Sequence, residues 1–222
     1  YKLKISYVYE NEDIVEKQLE EIQYSDCIGM IVLGTEMKPE DLKPFQKLPI
    51  PFVLIDSYFE TVSCDCVLIN NVQGAYLAAS HLIRKTKKQP GYLHSSYDIG
   101  NFAERNSGFF KAVRPDGLSS AKSIVHLLTP SMDGAYADMK EIIEKGEELA
   151  PCYFADNDLI AMGAMKALKE AGYRIPQDIA IAGFDNLPFS KVFEPALTTI
   201  NVPKLYMGEM AAARLVELLK SP

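Results

Sequence analysis

Four short apolar runs in this chain end on residues able to make directional hydrogen bonds. "PFVLI" runs into Asp56, "GYLH" into Ser95 and Ser96, "CYFA" into Asp156, Asn157 and Asp158, and "IAIAGF" into Asp185. Arg105 lies one turn into the helical stretch that follows "GYLHSS". Carboxylates, an amide, hydroxyls and a guanidinium supply acceptors and donors together, the complement of a polyhydroxylated small molecule. Each residue also has a plainer reading. Asn157 and Asp158 suit a helix start, and Asp185 suits the start of a turn. Only convergence at one sheet edge would make them a site.

Reaction chemistry finds little support. The chain has no G-x-G-x-x-G, P-loop, H-E-x-x-H or G-x-S-x-G motif. Asp156 and Asp158 are a carboxylate pair of the kind that does acid–base work, but a helix start explains them more simply. Cys64-x-Cys66 is too tightly spaced for the usual zinc knuckle and has no second Cys or His pair nearby. The four cysteines (Cys27, Cys64, Cys66, Cys152) therefore read as reduced, mostly buried thiols. His81, His94 and His126 are scattered singly and read as ordinary helix or strand residues with satisfied hydrogen bonds. The basic stretch "RKTKK" (84–88) complements the dipole of the helix it ends. A binding protein is expected rather than an enzyme, with no metal and no cofactor.

The elements that position these residues follow from pattern. The chain has 222 residues, 48% hydrophobic and 24% charged, which is enough to bury a core. A net charge of -7 argues against this stretch gripping a nucleic-acid backbone. No apolar run approaches the ~20 residues that span a bilayer. The opening "YKLKISYVYENED" carries neither an initiator Met nor a signal peptide and reads as a piece of a longer protein. Strands are expected at 3–9, 27–34, 50–56, 66–70, 90–96, 123–129, 152–155, 178–184 and 198–201. Most are continuously apolar, as in parallel sheets covered on both faces. Helices are expected where Ile14, Val15, Leu19 and Ile22 share a face, and where Ala75, Ala78, Ala79 and Leu82 do. Phe102, Phe109 and Val113 mark another, and "NDLIAMGAMKALKEAG" runs from a cap to Gly172. The last places Leu205, Met207, Ala211, Leu215 and Leu218 near one stripe. This alternation predicts an α/β fold with parallel sheets.

"PQDIAIAGFDNLPFSKVFEPALTTINVP" and, upstream, "FADNDLIAMGAMKALKEAGYRIP" strongly resemble the effector-binding domain of the lac repressor/galactose repressor (LacI/GalR) family of transcriptional regulators. "NFAERNSGFFKAV" and "VLIDSYFETVSCDCVLINNVQGAYLAASHLI" extend the likeness over most of residues 50–220. The resemblance implies two doubly wound parallel-sheet subdomains flanking a ligand cleft, as in type I periplasmic binding proteins. One would hold residues 1–70 with 202–222 and the other 71–201. It also implies ligand contacts from Asp56, Arg105, Asn157 and Asp185, with Ser96 and Phe102 added by neighbourhood. Further implications are a small carbohydrate effector, a cytoplasmic homodimer and DNA binding through a separate head. Helix 158–171 and the segment Phe189–Phe193 would form the dimer contact, although burial in the core explains their apolar residues equally well. The chain departs from the pattern in lacking the helix-turn-helix head, the first strand–helix unit and the terminal strand. It also lacks an aromatic stacking residue near Thr129 or Pro130, for which Phe102 or Tyr136 would substitute. An extracytoplasmic sugar-binding protein of a transporter is the alternative, and a sugar-processing enzyme on a related fold is the third reading.

Overall fold

The computed structural model describes residues 1–7, 19–20, 22, 25–114 and 118–220. The chain divides into two compact units, Tyr1–Leu68 with Lys204–Pro222, and Ile69–Pro203. The elements run β1 (Met30–Leu33), α1 (Lys43–Gln46), β2 (Phe52–Ile55), β3 (Asp65–Val67), α2 (Asn71–Thr86), β4 (Gly91–Ser95) and α3 (Gly100–Val113). They continue with β5 (Val125–Leu128), α4 (Met132–Glu144), β6 (Cys152–Ala155), α5 (Asp158–Glu170), β7 (Ala180–Asp185), β8 (Thr198–Asn201) and α6 (Lys204–Lys220).

The second unit is a five-stranded parallel sheet in the order β5-β4-β6-β7-β8. Its order reverses between β4 and β6, and the carboxyl ends of two such strands frame a crevice where open α/β sheets hold ligands. All four residues of β6 are buried, as a central strand covered on both faces requires. Along β4 the faces alternate. Tyr92 packs with Phe109 and Phe154 beneath α2 and α3, while Leu93 packs with Leu128 and Met139 on the α4 and α5 side.

Helices α2 and α4 begin where short polar side chains satisfy exposed backbone donors. Asn70 accepts from the Gln73 N–H at 2.9 Å to start α2, and Ser131 from Gly134 N–H at 3.1 Å to start α4. Ala75, Ala78, Ala79 and Leu82 form the buried stripe of α2. At Gly108 a Cβ would collide with the Val72 carbonyl, so α2 and α3 meet backbone to backbone. Helix α4 was not anticipated. Only Ala135 and Met139 of its 13 residues are fully buried, which leaves a weak apolar stripe to read.

Three expectations need correction. Residues 3–7 form no strand, and Leu3, Ile5 and Tyr7 are exposed. Val8, Tyr9, Ile14 and Val15 lie outside the described residues, whereas Leu19 and Ile22 belong to the core of the first unit. That unit carries the parallel sheet β1-β2-β3. Covering on both faces fails at β1, where Ile31 and Leu33 are exposed. On α6, Met207 and Ala211 are buried but Leu205 is 79% exposed and leaves the expected stripe.

For the apolar residues of helix α5, core burial holds rather than an interface. Ile160, Ala161, Met162, Ala164, Met165 and Leu168 are all buried in the unit's own core. The adjacent Phe189 and Val192 are exposed, at 66% and 78%. Among the described residues no helix is long and apolar enough to cross a membrane.

Candidate functional site

Arg105, on the second turn of α3, organises the carboxyl edge of the five-stranded sheet. Its Nη2 donates to Asp185 Oδ1 at 3.3 Å, its Nε to Asn71 Oδ1 at 2.9 Å, and its Nη1 to the Asp156 carbonyl. The guanidinium carbon lies 3.8 Å from the centroid of the Phe184 ring and 5.6 Å from that of Phe102. A planar cation stacked on an aromatic face and forked between acceptors is the arrangement that favours Arg over Lys. Arg105 is 4% exposed, so this buried charge needs each of these partners. Asn71 is itself fixed, its Nδ2 donating to Asn101 Oδ1 at 3.1 Å and Glu104 Oε2 at 2.9 Å.

Asp185 follows the buried strand residues because the backbone turns there. Asp185 has φ 106° and Asn186 φ 50°, both in the left-handed region that costs non-glycine residues energy. The surroundings hold that turn. Asn186 N–H donates to Thr199 Oγ1 at 3.3 Å, and its Nδ2 to Asn201 Oδ1 at 2.8 Å. Asp158, fully buried, accepts at Oδ2 from Leu187 N–H at 2.8 Å and Ser190 Oγ–H at 2.5 Å, and at Oδ1 from Thr199 Oγ1–H at 2.5 Å. A Cβ on Gly183 would overlap Asp158 Oδ1, so glycine there lets strand and carboxylate approach. The two neighbours in "ADND" thus divide the work. Asn157 caps α5 through Oδ1, accepting from Ile160 N–H at 2.8 Å, and Asp158 staples the loop that presents Asp185.

A hollow of about 320 Å³ opens beside this cluster. His94, Ser95, Ser96, Tyr97, Asp98, Phe102, Ala103, Asn106 and Leu127 line it. Two expected residues, Ser96 and Phe102, therefore sit in one cavity. Phe102 also faces the Arg105 guanidinium and links hollow to cluster. Tyr136 does not substitute as a stacking residue. Its hydroxyl donates to Glu170 Oε2 at 2.6 Å and its ring carries the Lys166 ammonium at 3.6 Å, on the solvent side of α4 and α5.

Behind the hollow, Asp156 is fully buried and takes hydrogen bonds from Tyr92 Oη–H, His94 Nδ1 (2.6 Å) and Ser95 N–H (2.7 Å). Burial and the Asp156 carboxylate raise the Tyr92 phenol well above its usual range, so it stays a donor. Asn71, Phe184, His94 and Tyr92 were missed as site residues. The readable signal was that Tyr92 and His94 place polar atoms on one face of an otherwise apolar strand.

Asp56 belongs to the first unit. It also ends a strand at positive φ, 63°, and its Oδ2 accepts from Thr35 Oγ1–H at 2.8 Å across the ends of β1 and β2. The cysteines are free; Cys152 is buried, and Cys27, Cys64 and Cys66 are half-buried. Cys64 Sγ lies 3.8 Å from Cys66 Sγ, and burial followed by that neighbour pushes its thiol up to about 12. Among the described residues no cluster of three or more His, Cys, Asp or Glu could hold a metal ion.

Residues 79–222 match the periplasmic binding protein-like domain. The transcriptional regulator GalS of Salmonella typhimurium is 32% identical over 185 residues, covering 83% of this chain and 54% of its own. The transcriptional repressor PurR of Mannheimia succiniciproducens is 30% identical over 220 residues, covering 98% and 65%. Against both, the chain spans less than two thirds of the relative's length. A LacI-family regulator from Enterococcus faecium, solved with bound ribose, superposes with a TM-score of 0.80 at 26% identity, covering 91% of this chain and 75% of that one. These relatives are regulators and not enzymes.

Proposed function

This chain belongs to the periplasmic binding protein-like family, with LacI/GalR-type regulators as its relatives, and we propose on that premise that it is the effector-sensing domain of a transcriptional regulator. The effector is a small carbohydrate bound at the carboxyl edge of the five-stranded sheet. One observation carries this reading. Arg105 and Asp185, far apart in sequence, meet at 3.3 Å where the sheet's strands end, next to a hollow lined by Ser96 and Phe102. Asp185 and Asp98 accept hydroxyl protons, Ser96 donates or accepts, and Phe102 offers an apolar face to the ring carbons of a sugar. The ribose in the Enterococcus faecium regulator supports this chemical class. Asn157, its Oδ1 engaged in the cap, contributes its Nδ2 as donor.

Regulation follows from differential affinity. An effector that binds one conformation better shifts the equilibrium by that difference and no more. A coupling of about 1–3 kcal/mol is enough to alter operator affinity. The protein acts in the cytoplasm as a homodimer. DNA contact falls to the part of the whole regulator that this acidic chain does not represent.

A thermal-shift panel of pentoses, hexoses, sugar phosphates and nucleobases tests the reading. Ligand at about a hundred times its dissociation constant adds about 2.7 kcal/mol, or roughly 5–10 °C for a chain of this size. A sugar that raises the midpoint by that amount supports it. A panel in which only nucleobases act replaces the carbohydrate by another class, and no shift with any member sinks it.

A further inference from the structure

We infer that His94 is a specificity-determining contact of this site, presenting Nε2 as a hydrogen-bond acceptor to a ligand hydroxyl, with Asp156 as the residue that positions it. The inference rests on the effector-binding reading and names the chemistry that selects the ligand: a neutral polyol is preferred over an anionic one.

The fold puts both residues where strand order reverses. His94 is near the carboxyl end of β4 and Asp156 directly follows β6, the two strands that flank the switch. The Asp156 carboxylate can only accept from the three groups around it, so the His94 proton sits on Nδ1, 2.6 Å away. In the neutral ring Nε2 is then a lone-pair acceptor. The ring is held in that orientation. It lies 4.9 Å from the Tyr92 ring, and Tyr92 is itself stacked on Phe109 at 4.8 Å and Phe154 at 5.4 Å. The His94 side chain keeps 23% of its surface exposed and lines the hollow, while Asp156 keeps none.

The rest of the lining specifies what Nε2 meets. Asp98 adds an acceptor, Ser96 and Asn106 can donate or accept, and Phe102 and Leu127 provide apolar walls. Two acceptors facing one volume call for a ligand rich in donors. The Asp98 carboxylate and the Nε2 lone pair both repel a phosphate or carboxylate.

Long-range proton–nitrogen NMR on the chain labelled at histidine reads the tautomer without any ligand. The Nδ1–H form is expected at His94, and Asp156→Asn is expected to lose that preference while retaining a cooperative melt. The Nε2–H form in the unaltered chain overturns the inference. Calorimetry then uses the neutral sugar that gives the largest shift in the panel. His94→Leu should bind it 10–100-fold more weakly, and His94→Gln, whose amide oxygen can accept near the same point, should recover part of the loss. The Nε2 resonance should move on binding. Equal affinity in His94→Leu overturns this assignment and leaves the effector reading standing. If only sugar phosphates or nucleobases bind, this inference falls while effector sensing stands; if no member of the panel binds, both fall.

Discussion

Replacing Asp158 by Ala would strand three donors that it now satisfies inside the protein: Leu187 N–H, Ser190 Oγ–H and Thr199 Oγ1–H. Buried donors left without acceptors cost about 1–3 kcal/mol each before relaxation, so a loss of about 2–4 kcal/mol is expected in urea denaturation. An unchanged midpoint would show that the loop is held by something else. Arg105 calls for similar care. Its stacking on Phe184 and its three hydrogen bonds mean that Arg105→Ala loses stability as well as any ligand contact. Asp185→Asn is the cleaner probe, because it keeps shape and removes charge. His126 sets a pH dependence. Burial lowers its pKa below the usual 6.5, partly opposed by Glu147. The folded state therefore resists a proton that the unfolded chain accepts, and stability declines as pH falls below 6.5. Denaturation midpoints measured at about pH 7 and about pH 5 should differ more for the unaltered chain than for His126→Asn. At this scale the strand-end residues Asp185 and Asn157, and Arg105 on the helix after β4, are singled out as candidates by local pattern. Asn71 and Phe184 could not, because their roles depend on contacts 34 and 79 positions away along the chain from Arg105.

Helices α2 and α3 touch at Gly108 so closely that a methyl group must push the Val72 carbonyl aside. Gly108→Ala should therefore destabilise the second unit by about 1–3 kcal/mol despite the better helix propensity of Ala. A rise in the urea midpoint would mean the two helices can separate without loss. Element by element, legibility followed burial. Strand β6 declares itself because all four of its residues go inside, and helix α2 because its buried Ala75, Ala78, Ala79 and Leu82 recur at helical spacing. Helix α4 hides because its outer faces are charged, with Lys145 paired to Glu141 at 2.6 Å, and because so little of it is buried. The apolar richness of α5 was ambiguous in sequence. A central helix and an interface helix have the same composition, and only the packing against Leu128, Met139 and Ile181 tells them apart. Residues 3–7 alternate like a strand, but alternation supplies a surface and not a partner.

For the whole molecule, the parallel sheets, the run of helices and the family likeness support the proposed effector-sensing role. The self-association proposed for it rests on Phe189 and Val192, large apolar side chains left on the surface of the second unit. Sedimentation of a Phe189→Glu, Val192→Glu double variant should give a monomer where the unaltered chain gives a dimer. A dimer in both would move the interface elsewhere, for example to Leu205, Tyr206 and Met210 of α6. Effector binding itself is read by titration calorimetry of the sugar selected from the thermal-shift panel into the unaltered chain and into Asp185→Asn. One-to-one binding is expected, weakened at least about tenfold by the loss of one charge-assisted hydrogen bond in the variant. The same affinity in both chains would contradict the placement of the effector at the Arg105–Asp185 edge.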